Sequence, residues 1–470
     1  MNNLLLMTDS YKASHWLQYP EGTEYVFSYI ESRGGKHDKV LFFGLQIFIQ
    51  EYLMKPITQE NIDEATEFFA MHGEPFNKEG WEYILNTYEG FLPVEIKAVP
   101  EGTILPVKNA LVTIQNTDPK CFWLPSYLET MLLRAVWYPT TVATNSYNIK
   151  KIIKQYLEET GDVNELPFKL HDFGARGASS NETAGIGGAA HLVNFKGSDT
   201  VMGALFARKY YGEQMAGFSI PAAEHSTITS YGREGEVDAY RNMIKQFAKP
   251  GAIFAVVSDS YNIFNAVENI WGEQLKTEVI NSGATLVIRP DSGDPVDICT
   301  WIVQRLDDKY GSVVNSKGYK VLNNVRIIQG DGVTANVIEA ILQSFKTLGF
   351  SASNIAFGQG GALLQGVNRD DQKFAMKCSA IFVNGAWRDV YKDPVTDQGK
   401  QSKRGIQYVY ATANKQVFTT SDMFEVTEQY EMLLQPVYVC WQNVTSKEVE
   451  VYVSTIKWSE VLENTNQEYN

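Results

Sequence analysis

Five stretches of the 470-residue chain concentrate side chains suited to chemistry. They are His171-Asp-Phe-Gly-Ala-Arg-Gly177, Gly197-Ser-Asp-Thr200, Pro221-Ala-Ala-Glu-His-Ser-Thr227, Ile288-Arg-Pro-Asp-Ser-Gly293, and the paired glycine-rich runs Gln329-Gly-Asp-Gly-Val333 and Phe357-Gly-Gln-Gly-Gly361. Arg289 and Asp291 share one loop. A guanidinium offers a planar donor fork that matches a phosphate, and a carboxylate accepts from hydroxyls. Gly330, Gly360 and Gly361 either free backbone N–H groups for a phosphate at helix starts or make ordinary strand-to-helix turns. Phe173 can stack on a flat ring or fill a core. Asp199 can accept from an amide or cap the helix that follows it. His225, between Glu224 and Ser226, is placed for phosphate rather than for metal, or is a hydrogen-bonded structural histidine. Arg176, Arg33, Arg369, Lys377 and Lys392 are candidates for phosphate groups, against the usual fate of solvated surface cations. Asp259 and Asp331 are the carboxylates that could assist Mg2+, which takes few protein ligands plus substrate oxygens.

The elements that must position these residues repeat along the middle of the chain. Eight short apolar runs are each followed by polar or Gly-rich residues and then by a helix-like stretch. They are Phe168–Leu170, Leu192–Phe195, Phe218–Ile220, Ile253–Val257, Leu286–Ile288, Val325–Ile328, Ile355–Phe357 and Ile381–Val383. Such alternation implies parallel strands, and eight in series predict an α/β fold built on a regular or irregular (β/α) barrel, with chemistry at the C-terminal strand ends. An open doubly wound sheet is the alternative. The flanks read differently. Residues 94–107, Ile406–Val409, Gln416–Thr419 and Pro436–Val439 look like short antiparallel strands, while Thr58–Phe69 and Leu124–Val136 carry helix-spaced apolar residues. The expected organisation is an N-terminal mixed region (residues 1–150), a catalytic barrel (151–390) and a β-rich C-terminal segment (391–470). The last packs with the first as a second domain.

Composition narrows the function. Lys plus Arg number 41 and Asp plus Glu 55, a net charge of −14, which argues against a general nucleic-acid binder but not against a small anionic substrate held by a few pocketed cations. The four cysteines are scattered and no CxxC pair exists, which fits a reduced cytoplasmic protein without a zinc ribbon or disulfide framework. No apolar run approaches the ~20 residues of a membrane span, and the N-terminus lacks the marks of a signal peptide. No P-loop or HExxH helix is present. Gly185-Ile-Gly-Gly-Ala-Ala190 fits a dinucleotide fingerprint formally, but it sits in a helix ahead of a strand and reads as close helix packing.

Taken in order and with their spacing, the five stretches resemble the nicotinamide phosphoribosyltransferases, of the type II phosphoribosyltransferase family. Thr8-Asp-Ser-Tyr-Lys12, Asn116-Thr-Asp-Pro119, Val142-Ala-Thr-Asn145 and Lys392-Asp-Pro-Val395 extend the likeness from residue 4 to residue 405 or so. Ala175 and Ala362 stand where Tyr and Gly are common in the family, and the C-terminal segment is similar only loosely. The resemblance implies transfer of phosphoribose from phosphoribosyl pyrophosphate to nicotinamide, giving nicotinamide mononucleotide and pyrophosphate in NAD salvage. It also implies Mg2+, ATP as co-substrate, phosphorylation of His225, and a homodimer with shared sites to which the partner contributes Tyr11 and Arg33. Against that chemistry Phe173 stacks on the pyridine, Asp199 accepts from the carboxamide, and Asp291 takes the ribose hydroxyls. Arg289 and the glycines take phosphate, and Asp259 or Glu224 orients His225. Displacement at an anomeric carbon passes through an oxocarbenium-like state, so positioning and charge should dominate over acid–base work. The rivals are a nicotinate-specific phosphoribosyltransferase, disfavoured by the charge of Asp199, a phosphate-binding barrel aldolase or isomerase, and a binding protein that kept the fold.

Overall fold

The computed structural model describes residues 3–396 and 401–470. The chain forms two compact units. One comprises Met1–Thr144, Lys209–Glu213 and Asn368–Asn470, and the other comprises Asn145–Arg208 and Gln214–Val367.

The second unit is built on a six-stranded parallel sheet. Its spatial order is Gly197–Ser198, Leu170–Asp172, Ile355–Gln359, Val325–Gln329, Thr285–Arg289 and Ile253–Val257. Side chains alternate across it. Leu170, Phe254, Val256, Leu286, Ile288, Val325, Ile327, Ile355 and Phe357 pack outward on the helices, chiefly Pro295–Tyr310 and Ala335–Thr347. Ala255, Val287 and Ile328 meet on the inner face, with Phe173, Ile220 and Ala356 against them. The helices start where local chemistry stops the strand exits. Asp294 accepts from the N–H groups of Val296 and Asp297 at 3.0 and 2.9 Å, with Pro295 at the first helical position, and Thr334 caps Val337. The segment after Gly217 is irregular, yet it bonds to both edge strands. Phe218 exchanges backbone bonds with Lys196 and Ser198, and Pro221 and Ala223 with Ala255.

Three of the eight apolar runs are not strands of this sheet, Phe218–Ile220 being the irregular segment that forms only isolated bridges. Leu192–Phe195 is the end of the helix Asn181–Leu192 and its turn, so the strand forms later, at Gly197–Ser198. Ile381–Val383 belongs to the antiparallel strand Phe374–Val383, which pairs with Thr23–Ser32 in the first unit. Its apolar alternation satisfies either kind of sheet, and periodicity alone cannot choose between them. With it, residues 368–390 leave the barrel segment expected from sequence. The Gly-rich run in Asn181–Leu192 is a packing surface: a Cβ on Gly188 would lie 2.8 Å from Gly203 Cα in the helix Val201–Tyr211.

The first unit holds a seven-stranded antiparallel sheet. Its order is Ala386–Asp389, Phe374–Val383, Thr23–Ser32, Ala110–Asn116, Val94–Ala98, Gln435–Gln442 and Val449–Val453, so both ends of the chain interleave in one sheet. A small sheet of Tyr408–Thr412, Val417–Thr420 and Tyr430–Met432 accompanies it. Among the described residues, no helix is long and apolar enough to cross a membrane.

Candidate active site

The C-terminal ends of the parallel strands bring His225, Asp259, Arg289 and Asp291 into one cluster. Asp259 follows the strand Ile253–Val257, and Asp291 follows Thr285–Arg289, two neighbours in the sheet. The two exits are tied together: Asp259 Oδ2 accepts from the Asp291 backbone N–H at 3.1 Å and from the Ser292 hydroxyl at 2.5 Å. Arg289 Nη2 donates to Asp291 Oδ1 at 3.2 Å. His225 opens the short helix His225–Thr229 and faces the pair. Its Nε2 lies 3.3 Å from Asp291 Oδ2 and 3.6 Å from Asp259 Oδ1, and its Nδ1 lies 3.0 Å from Ser260 Oγ. Glu224, the other candidate orienter, accepts instead from the Ser226 hydroxyl. Two polar atoms of the cluster are buried without a hydrogen-bond partner among the described residues, Asp259 Oδ1 and Arg289 Nε. An orphaned acceptor and an orphaned donor in one cluster suit a ligand that supplies both.

The neighbouring exits build a slot for a ring. The Phe173 N–H donates to the Gln359 carbonyl at 2.9 Å, and the ring lies over Gly358 and Gly330. The turn behind it is held by Asp172, whose Oδ1 accepts the Gly174 N–H at 2.7 Å. Burial pushes the Asp172 carboxyl up to about 6, the Gly174 bond opposing. Asp199 receives a hydrogen bond from the Ser219 hydroxyl, and its own N–H donates to the Asp172 carbonyl. The N–H of Thr200 is taken by Ser198 Oγ rather than by Asp199. Gly360 and Gly361 sit against the loop that carries Arg176. A Cβ on Gly177 would come 2.9 Å from Gly361 Cα, and one on Gly174 2.9 Å from the Gly360 carbonyl. Arg176 itself is exposed. Ser219, Ser260 and Ser292 were not singled out from sequence. A serine beside a motif carries no type-specific signal, although Ser260 and Ser292 each adjoin a motif carboxylate or its loop.

Asp331 is exposed, and its backbone carbonyl accepts from Gln329 Nε2 at 2.7 Å. Among the described residues no three His, Cys, Asp or Glu side chains converge on a metal position. The open carboxylate oxygen of Asp259 is the donor that fits a hard cation held mainly by phosphate oxygens.

The remaining candidates lie in the first unit. Tyr11 is 55% exposed on the 3-10 turn Ser10–Leu17, edge-on to His15 at 4.9 Å between centroids. Lys12 Nζ lies 5.4 Å from its ring centre and pairs with Glu129 at 2.5 Å. Burial lowers the Lys377 ammonium, Glu129 opposes that, and the charges of Arg33, Lys392 and Lys12 lower it further. Arg369 stands apart, exposed beside Asp370.

The chain is similar to proteins of one enzyme family. The model of the nicotinate phosphoribosyltransferase (NAPRTase) family matches residues 168–429, and that of the nicotinamide phosphoribosyltransferase N-terminal domain matches residues 3–96. A nicotinamide phosphoribosyltransferase of Xanthomonas campestris pv. campestris is 61% identical over 407 residues, 86% of this chain and 87% of its own. One of Acinetobacter baylyi is 35% identical over 443 residues, again 86% and 87%. Among solved structures, a nicotinate-nucleotide pyrophosphorylase from Pyrococcus furiosus aligns with a TM-score of 0.62 at 17% identity, covering 99% of this chain and 97% of that one. Human nicotinic acid phosphoribosyltransferase aligns at 0.59 and 15%, covering 98% and 93%. At such identities the two structures speak for the fold alone.

Proposed function

The chain belongs to the nicotinate phosphoribosyltransferase family, and we infer that it performs the reaction its curated relatives are named for, nicotinamide phosphoribosyl transfer in NAD salvage. The pyridine nitrogen attacks C1 of phosphoribosyl pyrophosphate as the bond from C1 to the pyrophosphate oxygen breaks, and the bonding pair leaves with pyrophosphate. The observation that carries this reading is the joined exit of two strands, where Arg289, Asp291, Asp259 and His225 meet beside the Phe173 slot. Phe173 orients the flat base, Asp291 holds the ribose hydroxyls, and Arg289 steadies the departing charge. Asp199 accepts from the carboxamide, and its charge disfavours a pyridine carboxylate.

The finer features extend this reading. Bonds from residues 218–223 to both edge strands support ring closure into an irregular barrel. His225 is the group that ATP phosphorylates. Its Nε2 faces two carboxylates, which favours the tautomer that leaves a lone pair on Nδ1. Mg2+, when bound, neutralises phosphate charge, with Asp259 as its protein ligand. Arg33, Lys377 and Lys392 take phosphates of ATP or pyrophosphate. Tyr11 and Arg33 reach the pocket of a second copy in a cytoplasmic homodimer, and Tyr11 covers the other face of the base.

Product analysis with nicotinamide and nicotinic acid, each with and without ATP, tests the reading. Nicotinamide mononucleotide should be the main product, raised by ATP. With ATP and Mg2+ the intact mass should gain an acid-labile phosphate that His225→Ala abolishes. A slow ATP-independent reaction should survive in that variant. Full labelling of His225→Ala would place the phosphate elsewhere.

A further inference from the structure

Four residues lie side by side across the inner face of the parallel sheet, and only one of them carries a side chain. His171 pairs with Gly197 on one neighbouring strand and with Gly358 on the other, and Gly330 continues the row one position past the Gln329–Phe357 pair. Each gap is taken by a ring. A Cβ on Gly197 would lie 2.5 Å from His171 Nδ1. A Cβ on Gly358 would lie 2.0 and 2.2 Å from Cε2 and Cδ2 of Phe173, and one on Gly330 would lie 3.2 Å from the same ring. The His171 and Phe173 rings are 6.2 Å apart and tilted by 38°.

The backbone does not ask for glycine at 358. The residue sits inside the regular strand Ile355–Gln359 and is not among those with positive φ. A glycine in a strand interior weakens the strand, so its presence marks a place where something approaches closely. Here that something is the Phe173 ring, whose other neighbours are the apolar inner residues Ala255, Val287 and Ile328. A contact of 2.0 Å cannot be relieved by a shift of a few tenths of an ångström, so any side chain at 358 must turn the ring to another rotamer.

We propose that Gly358 is a positioning residue for base recognition: its missing side chain seats the Phe173 ring flat on the inner sheet face, with the opposite ring face turned to the incoming pyridine. The proposal rests on the reading of Phe173 as the stacking residue. It assigns the specificity of this wall to the pair Phe173–Gly358, with Gly330 as the looser second seat.

Steady-state kinetics of Gly358→Ala, Phe173→Leu and the double variant test it. Losing one aromatic stack is worth up to about tenfold in binding. In Gly358→Ala, KM for nicotinamide should rise about that much, while KM for phosphoribosyl pyrophosphate stays within about twofold. Because both changes remove the same contact, the double variant should match Phe173→Leu in KM instead of multiplying the two effects. If Gly358→Ala does not fold, the double variant decides alone, because leucine lacks the Cε2 atom 2.0 Å from the new methyl group and can rotate its δ carbons away about χ2. A folded double variant with the KM of Phe173→Leu supports the pairing. An unfolded one overturns it, as does an unchanged nicotinamide KM in a folded Gly358→Ala, or equal rises for both substrates. An unchanged KM in Phe173→Leu, with Gly358 intact, overturns the stacking reading itself and the proposal with it.

Discussion

At the scale of single residues, the site combines groups that are free to act with groups already spent on holding them. Asp199 is exposed and receives the Ser219 hydroxyl on Oδ1, and in the proposed reading its other oxygen takes a carboxamide N–H. Asp199→Asn should therefore narrow the preference for nicotinamide over nicotinic acid by on the order of tenfold or more, because a like-charge contact is removed. Equal turnover of both pyridines by the parent protein would sink this assignment. Asp172 is the opposite case, fully buried and spent on the Gly174 turn. Its carboxyl sits at about 6, above the ~3.9 of an unfolded chain, so the folded state favours the protonated form. The stability this gives is complete below about pH 4, falls as pH rises through 6, and is gone above it, a span on the order of 2–3 kcal/mol. Asp172→Asn keeps the acceptor for Gly174 and loses the titration. Its Tm relative to the parent should be higher at pH 7.5 than at pH 4.5. His191, held near 4 by burial, titrates in both proteins and cancels from the difference. A pH-independent Tm gap would remove Asp172 as the source. Arg289, Asp291 and His225 were legible in sequence because charged types in Gly- and Pro-marked loops stand out. Ser260, Ser219 and Gly358 were not, because their meaning lies in what faces them across the sheet.

At the scale of elements, legibility depended on whether a segment carries its own reason for its shape. Ile253–Val257, Leu286–Ile288, Val325–Ile328 and Ile355–Phe357 are β-branched runs closed by Gly or charged exits, and all four are parallel strands. Ile381–Val383 looks the same locally but pairs with a strand some 350 residues earlier, a choice that only tertiary pairing makes. Leu192–Phe195 was apolar because it ends a buried helix, not because it is a strand. The reading of Gly185–Ala190 as helix packing rests on residues visible in sequence, and its partner Gly203 is the element-scale test. A Cβ on Gly203 would come 2.6 Å from the Gly188 carbonyl carbon, so the two helix backbones themselves must separate. Gly203→Ala should cost about 1–3 kcal/mol, despite alanine's better helix propensity, read as a lowered denaturation midpoint. A neutral or stabilising effect would mean that the helices have slack.

At the scale of the whole molecule, a chain of net charge −14 must hold phosphoribosyl pyrophosphate, itself a polyanion, beside a neutral base. The cations proposed to answer it include Arg33, Lys377 and Lys392 in the first unit, where burial first and then the charges of Arg33, Lys392 and Lys12 lower the Lys377 ammonium, and Arg289 at the strand exits of the second. A few gathered cations can focus a positive field inside an otherwise acidic protein. Tyr11 is exposed, with Lys12 and His15 against its ring, and in the proposed shared pocket it is the residue that reaches a second copy. A shared pocket makes a prediction that a self-contained one does not. Tyr11→Ala and Asp291→Ala homodimers each carry the same defect in both pockets and should be nearly inactive. In a mixed dimer one pocket collects both defects and the other collects none. Two-fold symmetry and random pairing of equal amounts put half the protein in mixed dimers, so activity should recover to about a quarter of the parent's. Co-expression with two different tags, followed by tandem purification of the mixed dimer alone, should raise the recovered share to about half. Purified mixed dimers no more active than either parent homodimer, or a monomer with full activity at the assay concentration, would show that each chain completes its own pocket.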